Sequence, residues 1–314
     1  MRRAFYYLTA LDNLVRHFLS CLFKRNLISK NQEESTEKWV FILSPGRTGS
    51  TLFRKRLIMM GVGIPPESYD FIPKSIKWFA FHAFSSWSRK VEEVLKIFEF
   101  SAPQDHWNVD LNRIKKKLET TPKSEQSLYK IVSEIYQSFI DKHYKNAAYY
   151  GDKTPYLSID LKWIRLLFPK SKYVSIIRNS RDTIDSRVKH LKESKEVARD
   201  RLKWSIKEIV KHKKKVAPFP EFTLENFSRN HPELITYIFN QFEWTPEPID
   251  KNAEVYLGDD DQLHHGQLKK EIQPTKIDLK SLDLLDDYFL KVYKKELEIL
   301  DQINNQNIET NTPR

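Results

Sequence analysis

The segment Ser44–Thr51, SPGRTGST, has the residue types of a loop that binds an anion. It follows an apolar, β-rich run and precedes a stretch with helical periodicity, so we expect it to join a buried strand to a helix. Backbone N–H groups and the positive end of the helix dipole attract phosphate at such a junction. Gly49, Ser50 and Thr51 lie at the junction, and Arg47 adds a full positive charge. The sequence therefore predicts a phosphate-binding loop.

This loop lacks the lysine that nucleoside-triphosphate enzymes place in theirs. If Gly49 is the second glycine of the pattern G-x-x-x-x-G-K-[ST], Ser44 stands at the first glycine and Ser50 at the lysine. In those enzymes the lysine and Mg²⁺ neutralise the β and γ phosphates, and no apolar strand here ends in an aspartate suited to the metal. We expect a less charged ligand and no metal, as a phosphosulfate anhydride would be. A P-loop kinase or NTPase is the alternative.

Two further segments carry cations at the ends of predicted structure. In YVSIIRNSRDTIDSRV (173–188), Arg178 ends a strand run and Ser186 follows on the next helix. A guanidinium can bind phosphate through two hydrogen bonds, and a hydroxyl can add another; a surface ion pair and a solvent-facing serine are the alternatives. In YYGDKTPYL (149–157), Lys153 lies in a turn that Pro155 ends, so we expect an exposed lysine.

These three segments resemble the motifs of the sulfotransferases that use 3′-phosphoadenosine-5′-phosphosulfate (PAPS), in their bacterial and Golgi branches, which act on carbohydrates or protein tyrosines. SPGRTGSTL resembles the 5′-phosphosulfate loop, and residues 173–188 resemble the 3′-phosphate motif with Ser180 in place of the usual proline. YYGDKTPYL resembles the G-[DE]-K-T-P segment, and residues 222–244 resemble the family more loosely.

The resemblance implies in-line transfer of a sulfuryl group from PAPS to an acceptor hydroxyl or amine, without a metal. Negative charge then grows on the bridging and sulfuryl oxygens, where fixed positive charge stabilises the transition state. A catalytically silent anion-binding module is a further alternative. The implied catalytic residues are Arg47, Glu67 and Lys153, and the implied donor-binding residues are Arg47, Thr48, Gly49, Ser50, Thr51, Arg178 and Ser186.

Glu67 is the predicted general base, because it falls near the end of the strand expected after the first helix. Several relatives in the resembled family place a glutamate there; an ordinary loop carboxylate is the alternative. Other candidates are His82, which we expect to be packed or on a helix surface, and Asp152, His264 and His265. Lys269 and Lys270 lie with the two late histidines in a long polar loop that could cover the nucleotide.

The elements that position these residues alternate between strands and helices. Strand runs at 38–43 and 172–178 are followed by helical patterns over Thr48–Met60 and about 180–213, which predicts a parallel sheet with helices on its faces. We further expect helices at 157–168, 231–242 and 281–303 and an edge strand near 222–227. By resemblance, the fold class is a three-layer α/β sandwich with a central parallel sheet, like that of P-loop nucleotide hydrolases.

We predict a single main domain at 38–303, in which residues 74–150 form a helical insertion on the acceptor side. Its aromatic stretch, KWFAFHAFSSWSRK (77–90), could stack on a sugar, and the resemblance favours a carbohydrate or glycolipid acceptor. Residues 1–37 are expected to form an amphipathic helix and linker, and residues 304–314 a loose polar tail.

Composition limits the partners. The 314 residues include 53 Lys and Arg against 42 Asp and Glu, a net charge of +11 that favours anionic ligands. We find no nucleic-acid-binding module. Cys21 is the single cysteine, so an intramolecular disulfide is excluded and a reducing, cytoplasmic location is expected. The basic, apolar segment 1–30 is interrupted by polar residues; it predicts a helix packed on the domain, or alternatively one in peripheral contact with a membrane.

Overall fold

The computed structural model describes residues 27–144, 147–155, 161–247 and 284–311. The chain divides into two compact units. One takes the described parts of residues 1–37, 68–139 and 162–171, and the other takes those of 38–67, 140–161 and 172–314. Most of the predicted N-terminal helix and the predicted late loop, including His264, His265, Lys269 and Lys270, lie outside the described residues.

The elements are numbered in chain order. The strands are β1 (Trp39–Leu43), β2 (Val62–Gly63), β3 (Tyr149–Asp152), β4 (Lys172–Ile177) and β5 (Glu221–Thr223). The helices are α1 (Lys30–Glu33), α2 (Ser50–Met59), α3 (Phe71–Phe81), α4 (Trp87–Ser101), α5 (Gln104–Trp107), α6 (Leu111–Glu119), α7 (Leu128–His143), α8 (Leu161–Leu167), α9 (Ser180–Leu191), α10 (Lys195–Lys213), α11 (Leu224–Phe242) and α12 (Leu284–Asn311).

The five strands form one parallel sheet in the second unit, in the order β2-β3-β1-β4-β5. Every residue of the central strand β1 is buried, as expected of a parallel strand covered on both faces. These findings confirm the predicted α/β class with a central parallel sheet flanked by helices. From β1 the chain passes to β2 at one edge of the sheet, and from β4 it passes to β5 at the opposite edge. Ligands of such sheets bind beyond the carboxyl ends of the strands where this order reverses, which here is beyond β1 and β4.

Two elements around β5 differ from the sequence prediction. β5 is an edge strand, as predicted, but it ends at Thr223 and α11 begins at the next residue. The reason is a helix cap: the Thr223 side chain accepts a hydrogen bond from the backbone N–H of Asn226. Farther along, α12 continues through residues 304–311, which were predicted to be loose. No glycine or proline interrupts that stretch before Pro313, so nothing in the sequence stops the helix.

The long helix predicted over 180–213 is in fact two helices. Lys192 ends α9 in the left-handed region, with φ of 56°, and Ser194 caps α10 by accepting a hydrogen bond from the N–H of Val197. A serine at this position competes with the continuing helix for backbone donors, which explains the break. The segment between the helices carries Glu193, whose contacts support the site described below.

Aromatic side chains fill the cores of both units. In the first unit Trp107 is fully buried and lies edge-on to Phe98, Tyr136 and Phe139 at centroid distances of 4.9, 5.1 and 5.5 Å. In the second unit Phe53 of α2 packs on Phe227 of α11, with ring centroids 4.6 Å apart. None of the helices in the described ranges is long and apolar enough to cross a bilayer.

Candidate active site

The loop between β1 and α2 is fixed by a chain of side-chain hydrogen bonds. The backbone N–H of Gly46 donates to Ser44 Oγ at 3.0 Å, and Thr48 Oγ1 donates to the carbonyl of Ile176 in β4 at 3.0 Å. Because that bond uses the single hydroxyl proton of Thr48, Ser44 must be the donor in the 2.8 Å contact between the two hydroxyls. The serine that replaces a Walker glycine thus ties the loop to the neighbouring strand. Sequence reasoning did not assign it this role.

Gly49 joins the loop to α2 with a backbone conformation and a close contact that favour glycine. Its φ is +79°, and a Cβ on it would lie 2.2 Å from Leu224 Cδ1. Without a side chain, Gly49 leaves the first backbone N–H groups of α2 uncapped and open to an external acceptor. Ser50 and Thr51 begin the helix there, as predicted for a loop that holds an anion.

Arg47 lies in this loop, with φ of 62°, and its side chain reaches α9. Its Nε donates to Ser186 Oγ at 3.2 Å. Burial lowers the pKa of Arg47, the nearby charges of Arg187 and Arg178 lower it further, and the carboxylate of Glu67 opposes the change. An arginine keeps its proton in such a setting. The lowered pKa therefore reflects a cation that is partly buried and lies near two further guanidinium groups, a setting that a bound anion would stabilise.

Arg178 follows β4, and its Nη2 is hydrogen-bonded whereas its Nε, within the described ranges, is not. Its Nη2 donates to Asp182 Oδ2 at 2.9 Å, which is the ion pair that we considered as an alternative role. Its Nε, however, is buried and has no hydrogen-bond partner among the described residues. Asn179 orients the pair, because its amide also donates to Asp182 Oδ2 at 2.9 Å. The ion pair therefore holds Arg178 in place and leaves its Nε available to a ligand.

Arg187 contacts the loop, and sequence reasoning did not single it out. Its Nη1 donates to the carbonyl of Pro45 at 3.0 Å, and its Nε and Nη2 bind both oxygens of Glu193 at 2.8 and 2.9 Å. The hydrogen bonds from Arg187 hold the pKa of Glu193 below its ordinary value. Arg187 thus links the loop to the segment between α9 and α10 that carries Glu193. Its residue type and spacing gave no signal that distinguished it from the other arginines of α9 and α10.

Lys153 is buried, which corrects the expectation of an exposed lysine. Only 6% of its surface is accessible, and its ammonium is ion-paired with Glu67. The physical reason lies in the sheet. Lys153 follows β3 and Glu67 follows β2, and these two parallel strands are neighbours, so the two side chains meet at the same edge. The charge of Glu67 also acts on Arg47, so the three predicted catalytic residues share one site.

The other candidate bases lie in different settings. His82 ends α3, stacks on Trp78 at 4.2 Å and has its Nδ1 2.9 Å from the Trp78 carbonyl. This agrees with the packed or helix-surface histidine that we predicted. Asp152 is the last residue of β3 and is almost fully buried.

The donor set of the site suits an anion. It consists of guanidinium, ammonium, hydroxyl and backbone N–H groups that follow three of the parallel strands, β1, β3 and β4. Among the described residues, no group of three or more His, Cys, Asp or Glu side chains is arranged to hold a metal ion. Fixed donors and positive charge of this kind can bind phosphate and stabilise charge that develops on oxygen during group transfer.

Comparison with solved structures found sulfotransferases, and the first of those described here shares the fold. The sulfotransferase domain of the olefin synthase from Synechococcus PCC 7002 matches with a TM-score of 0.53 and 20% identity, over 80% of this chain and 92% of that one. The sulfotransferase STF9 from Mycobacterium avium matches with a TM-score of 0.41 and 12% identity, over 86% and 79% of the two chains. A sulfotransferase from Alicyclobacillus acidocaldarius matches with a TM-score of 0.36 and 14% identity, over 68% and 85%.

A search of curated proteins found no significant match. The model of the sulfotransferase family, in contrast, matches residues 40–225, from β1 to the first turn of α11. This match covers more than half of the chain and includes each residue of the site described above. The chain therefore belongs to the sulfotransferase family and is a transferase of the sulfotransferase class.

Proposed function

We propose that the enzyme transfers the sulfuryl group of PAPS to a hydroxyl of a carbohydrate or glycolipid. The observation that carries the proposal is the hydrogen bond between Arg47 and Ser186, which are 139 residues apart in the chain. It joins the loop that resembles a 5′-phosphosulfate site to the helix that resembles a 3′-phosphate site. A donor with a phosphate at each of these positions matches this arrangement.

The residues present fit the donor. The uncapped N–H groups at the start of α2, with the hydroxyls of Ser50 and Thr51, would hold the 5′ phosphate. The buried, unused Nε of Arg178 and the hydroxyl of Ser186 would hold the 3′ phosphate. When bound, PAPS supplies an activated sulfuryl group on its 5′ phosphate.

Glu67 and Lys153 would act together in the transfer. The acceptor oxygen forms a bond to sulfur, the bond from sulfur to the bridging oxygen breaks, and Glu67 takes the hydroxyl proton. Protonation removes the negative charge that Lys153 neutralises in the resting ion pair. The ammonium of Lys153 is then available to the bridging oxygen, where charge grows, and adenosine 3′,5′-bisphosphate leaves. Arg47 stabilises the same charge from the loop.

The acceptor is proposed from the family resemblance. Within the first unit, α3 offers aromatic side chains that a sugar could stack on. Phe81 is 73% exposed, and Trp78 is partly exposed beside it on the helix. Carbohydrate faces are apolar enough to pack against such rings.

Two measurements test the proposal. Transfer from radiolabelled PAPS to glycans, tyrosine peptides and small alcohols identifies reaction and acceptor together; we expect label on glycans or glycolipids. Calorimetry with adenosine 3′,5′-bisphosphate tests the phosphate assignments. Failure of the wild-type protein to bind this nucleotide would overturn the donor and both phosphate sites, and would favour a kinase-like or catalytically silent protein instead.

A further inference from the structure

A buried carboxylate on the C-terminal helix lies far along the chain from the site residues. Glu296 of α12 is fully buried. Its Oε2 accepts three hydrogen bonds: from the N–H of Thr223 at 3.0 Å, from the hydroxyl of Thr223 at 2.7 Å, and from the amide of Asn226 at 3.1 Å. Three donors on one oxygen fix the position of the residues that carry them.

Those donors form the start of α11. Thr223 ends β5 and caps α11 by accepting from the N–H of Asn226 at 3.3 Å. Glu225 lies in the same turn, so bonds that hold Thr223 and Asn226 also fix the direction in which Glu225 leaves the helix. Glu296 therefore braces the turn that presents Glu225.

Glu225 continues the chain of contacts towards the site. Its Oε1 accepts from both the backbone N–H and the side-chain amide of Asn179, at 3.3 and 2.8 Å. Asn179 in turn donates to Asp182, and Asp182 accepts from Arg178 at 2.9 Å. Two sets of hydrogen bonds, joined through the backbone of the α11 turn, thus connect α12 to the arginine whose Nε is unused.

Apolar packing follows the same direction. Phe289 and Val292 of α12 are buried against Ile177, the residue that precedes Arg178. The family model matches residues 40–225, so α12 lies outside the part of the chain that the model matches. This helix contacts the nucleotide side of the site both through Ile177 and through Glu296.

We infer that Glu296 is a positioning residue that holds Arg178, through the Asn226 turn, Glu225, Asn179 and Asp182, in the orientation that binds the 3′ phosphate of the donor. The inference rests on the proposed function. Glu296 acts on the nucleotide only through Arg178. Substitution of Glu296 should therefore weaken the binding of a ligand that carries a 3′ phosphate more than that of a ligand without one.

The test is calorimetry with adenosine 3′,5′-bisphosphate and with adenosine 5′-monophosphate, which lacks the 3′ phosphate. We expect Glu296→Ala to weaken binding of the bisphosphate about tenfold and binding of the monophosphate less than about twofold. Glu296→Gln keeps an acceptor oxygen for Thr223 and should bind within about twofold of the wild type. Glu298→Ala, an exposed glutamate on the same helix, is the matched control and should bind as the wild type does.

A double-mutant cycle separates positioning from general destabilisation. In an Arg178→Lys background, the Glu296→Ala penalty should shrink to less than about twofold, because the group that Glu296 orients is gone. An undiminished penalty there, or equal weakening of both nucleotides, overturns the inference. If Glu296→Ala does not fold, Glu296→Asp, which shortens the side chain by one methylene, carries the same comparison with an expected loss of about threefold.

The two proposals fail in different ways. A wild-type protein that does not bind the bisphosphate overturns the proposed function and the role of Glu296 with it. A wild type that binds, together with a Glu296→Ala variant that binds equally well, overturns only the role of Glu296.

Discussion

Arg47 combines a full positive charge with a left-handed backbone that residues other than glycine seldom adopt. Such strain persists where the surroundings impose it, and it clusters at functional sites. Here the loop is held on both sides, by the Ser44 and Thr48 hydroxyls and by Arg187. The result is a guanidinium fixed against Ser186 before any ligand arrives.

Removal of the Arg47 guanidinium should therefore affect rate more than fold. We expect Arg47→Ala to lower kcat/KM for PAPS about 100-fold or more, since a fixed donor to developing charge is lost. Arg47→Lys keeps the charge but loses the Nε donor to Ser186, so its kcat/KM should lie between those of Arg47→Ala and the wild type. Arg89→Ala, which removes an exposed arginine of α4, serves as the control in the same initial-rate assay. Equal rates for Arg47→Ala and the wild type would remove Arg47 from the mechanism.

Substitution of Glu67 tests its proposed role as the general base. If it accepts the acceptor proton, Glu67→Gln and Glu67→Ala should both lower kcat at least about 100-fold while the affinity for adenosine 3′,5′-bisphosphate stays near that of the wild type. Single-turnover rates and calorimetry measure the two effects separately. Near wild-type turnover in both variants would show that Glu67 only pairs with Lys153.

Gly49 predicts an effect on stability. A Cβ there meets Leu224 and must also adopt a left-handed φ, so Gly49→Ala should lower the free energy of unfolding by about 2–4 kcal/mol. In a Leu224→Ala background the clash is removed and only the backbone strain remains, about 1–2 kcal/mol. Urea denaturation of the four proteins measures both values. Equal penalties in the two backgrounds would contradict the clash.

Residue types and spacing predicted which side chains approach the site, but not how they are held. Arg178 and Ser186 could be recognised because a strand end and the following helix fix their separation. The burial of Lys153 could not, since it depends on β3 lying beside β2, and nothing in the local sequence specifies that neighbour. Arg187 was missed for a similar reason, because its partner Pro45 is 142 residues away in the chain and is brought to it by the fold.

At the scale of elements, α12 introduces a group that titrates near neutral pH. Burial raises the pKa of Glu296 from 4.5 to about 7; hydrogen bonds from Thr223 and Asn226 oppose the rise, and the charge of Glu225 adds to it. Between about pH 4.5 and pH 7, the Glu296 carboxyl therefore keeps its proton in the folded protein but has lost it in the unfolded chain. The contribution of this group to the free energy of unfolding falls as pH rises through that window, by about 3 kcal/mol in all.

Glu296→Gln should remove this pH dependence. Urea denaturation between about pH 5 and pH 8 should give a variant whose stability relative to the wild type increases with pH, because the wild type loses stability as Glu296 ionises. Parallel curves for the two proteins would mean that Glu296 does not titrate in this range. Glu298→Ala again provides a control from the same helix, with an expected slope equal to that of the wild type.

The elements themselves were predicted unevenly. β1, α2 and β4 follow clear apolar and helical periodicities, and their bounds differ from the prediction by one or two residues. β3 was not predicted, and its first two residues were assigned to the insertion at 74–150. YYGD is too short to show alternation, and its identity as a strand comes from pairing with β1 and β2. The break between α9 and α10 depends on a single capping serine within a strongly helical sequence.

At the scale of the whole molecule, the charge of +11 and the cations of the site favour a donor with several negative charges. Because Arg47, Arg178 and Lys153 supply the positive charge, we expect sulfuryl transfer to proceed at the same rate in EDTA as in Mg²⁺. Initial rates with PAPS in the two buffers test this. Activity that disappears in EDTA and returns with Mg²⁺ would point to the metal-dependent chemistry of a P-loop kinase.

The amide of Asn179 has a consequence for how related sequences can change. One Nδ2 group donates to both Glu225 and Asp182. An aspartate at position 179 would set three carboxylates against one another and remove the amide that donates to both Glu225 and Asp182. Evolutionary substitution at 179 should therefore be accompanied by substitution at 225 or 182, so that the segments that follow β4 and β5 change together rather than independently.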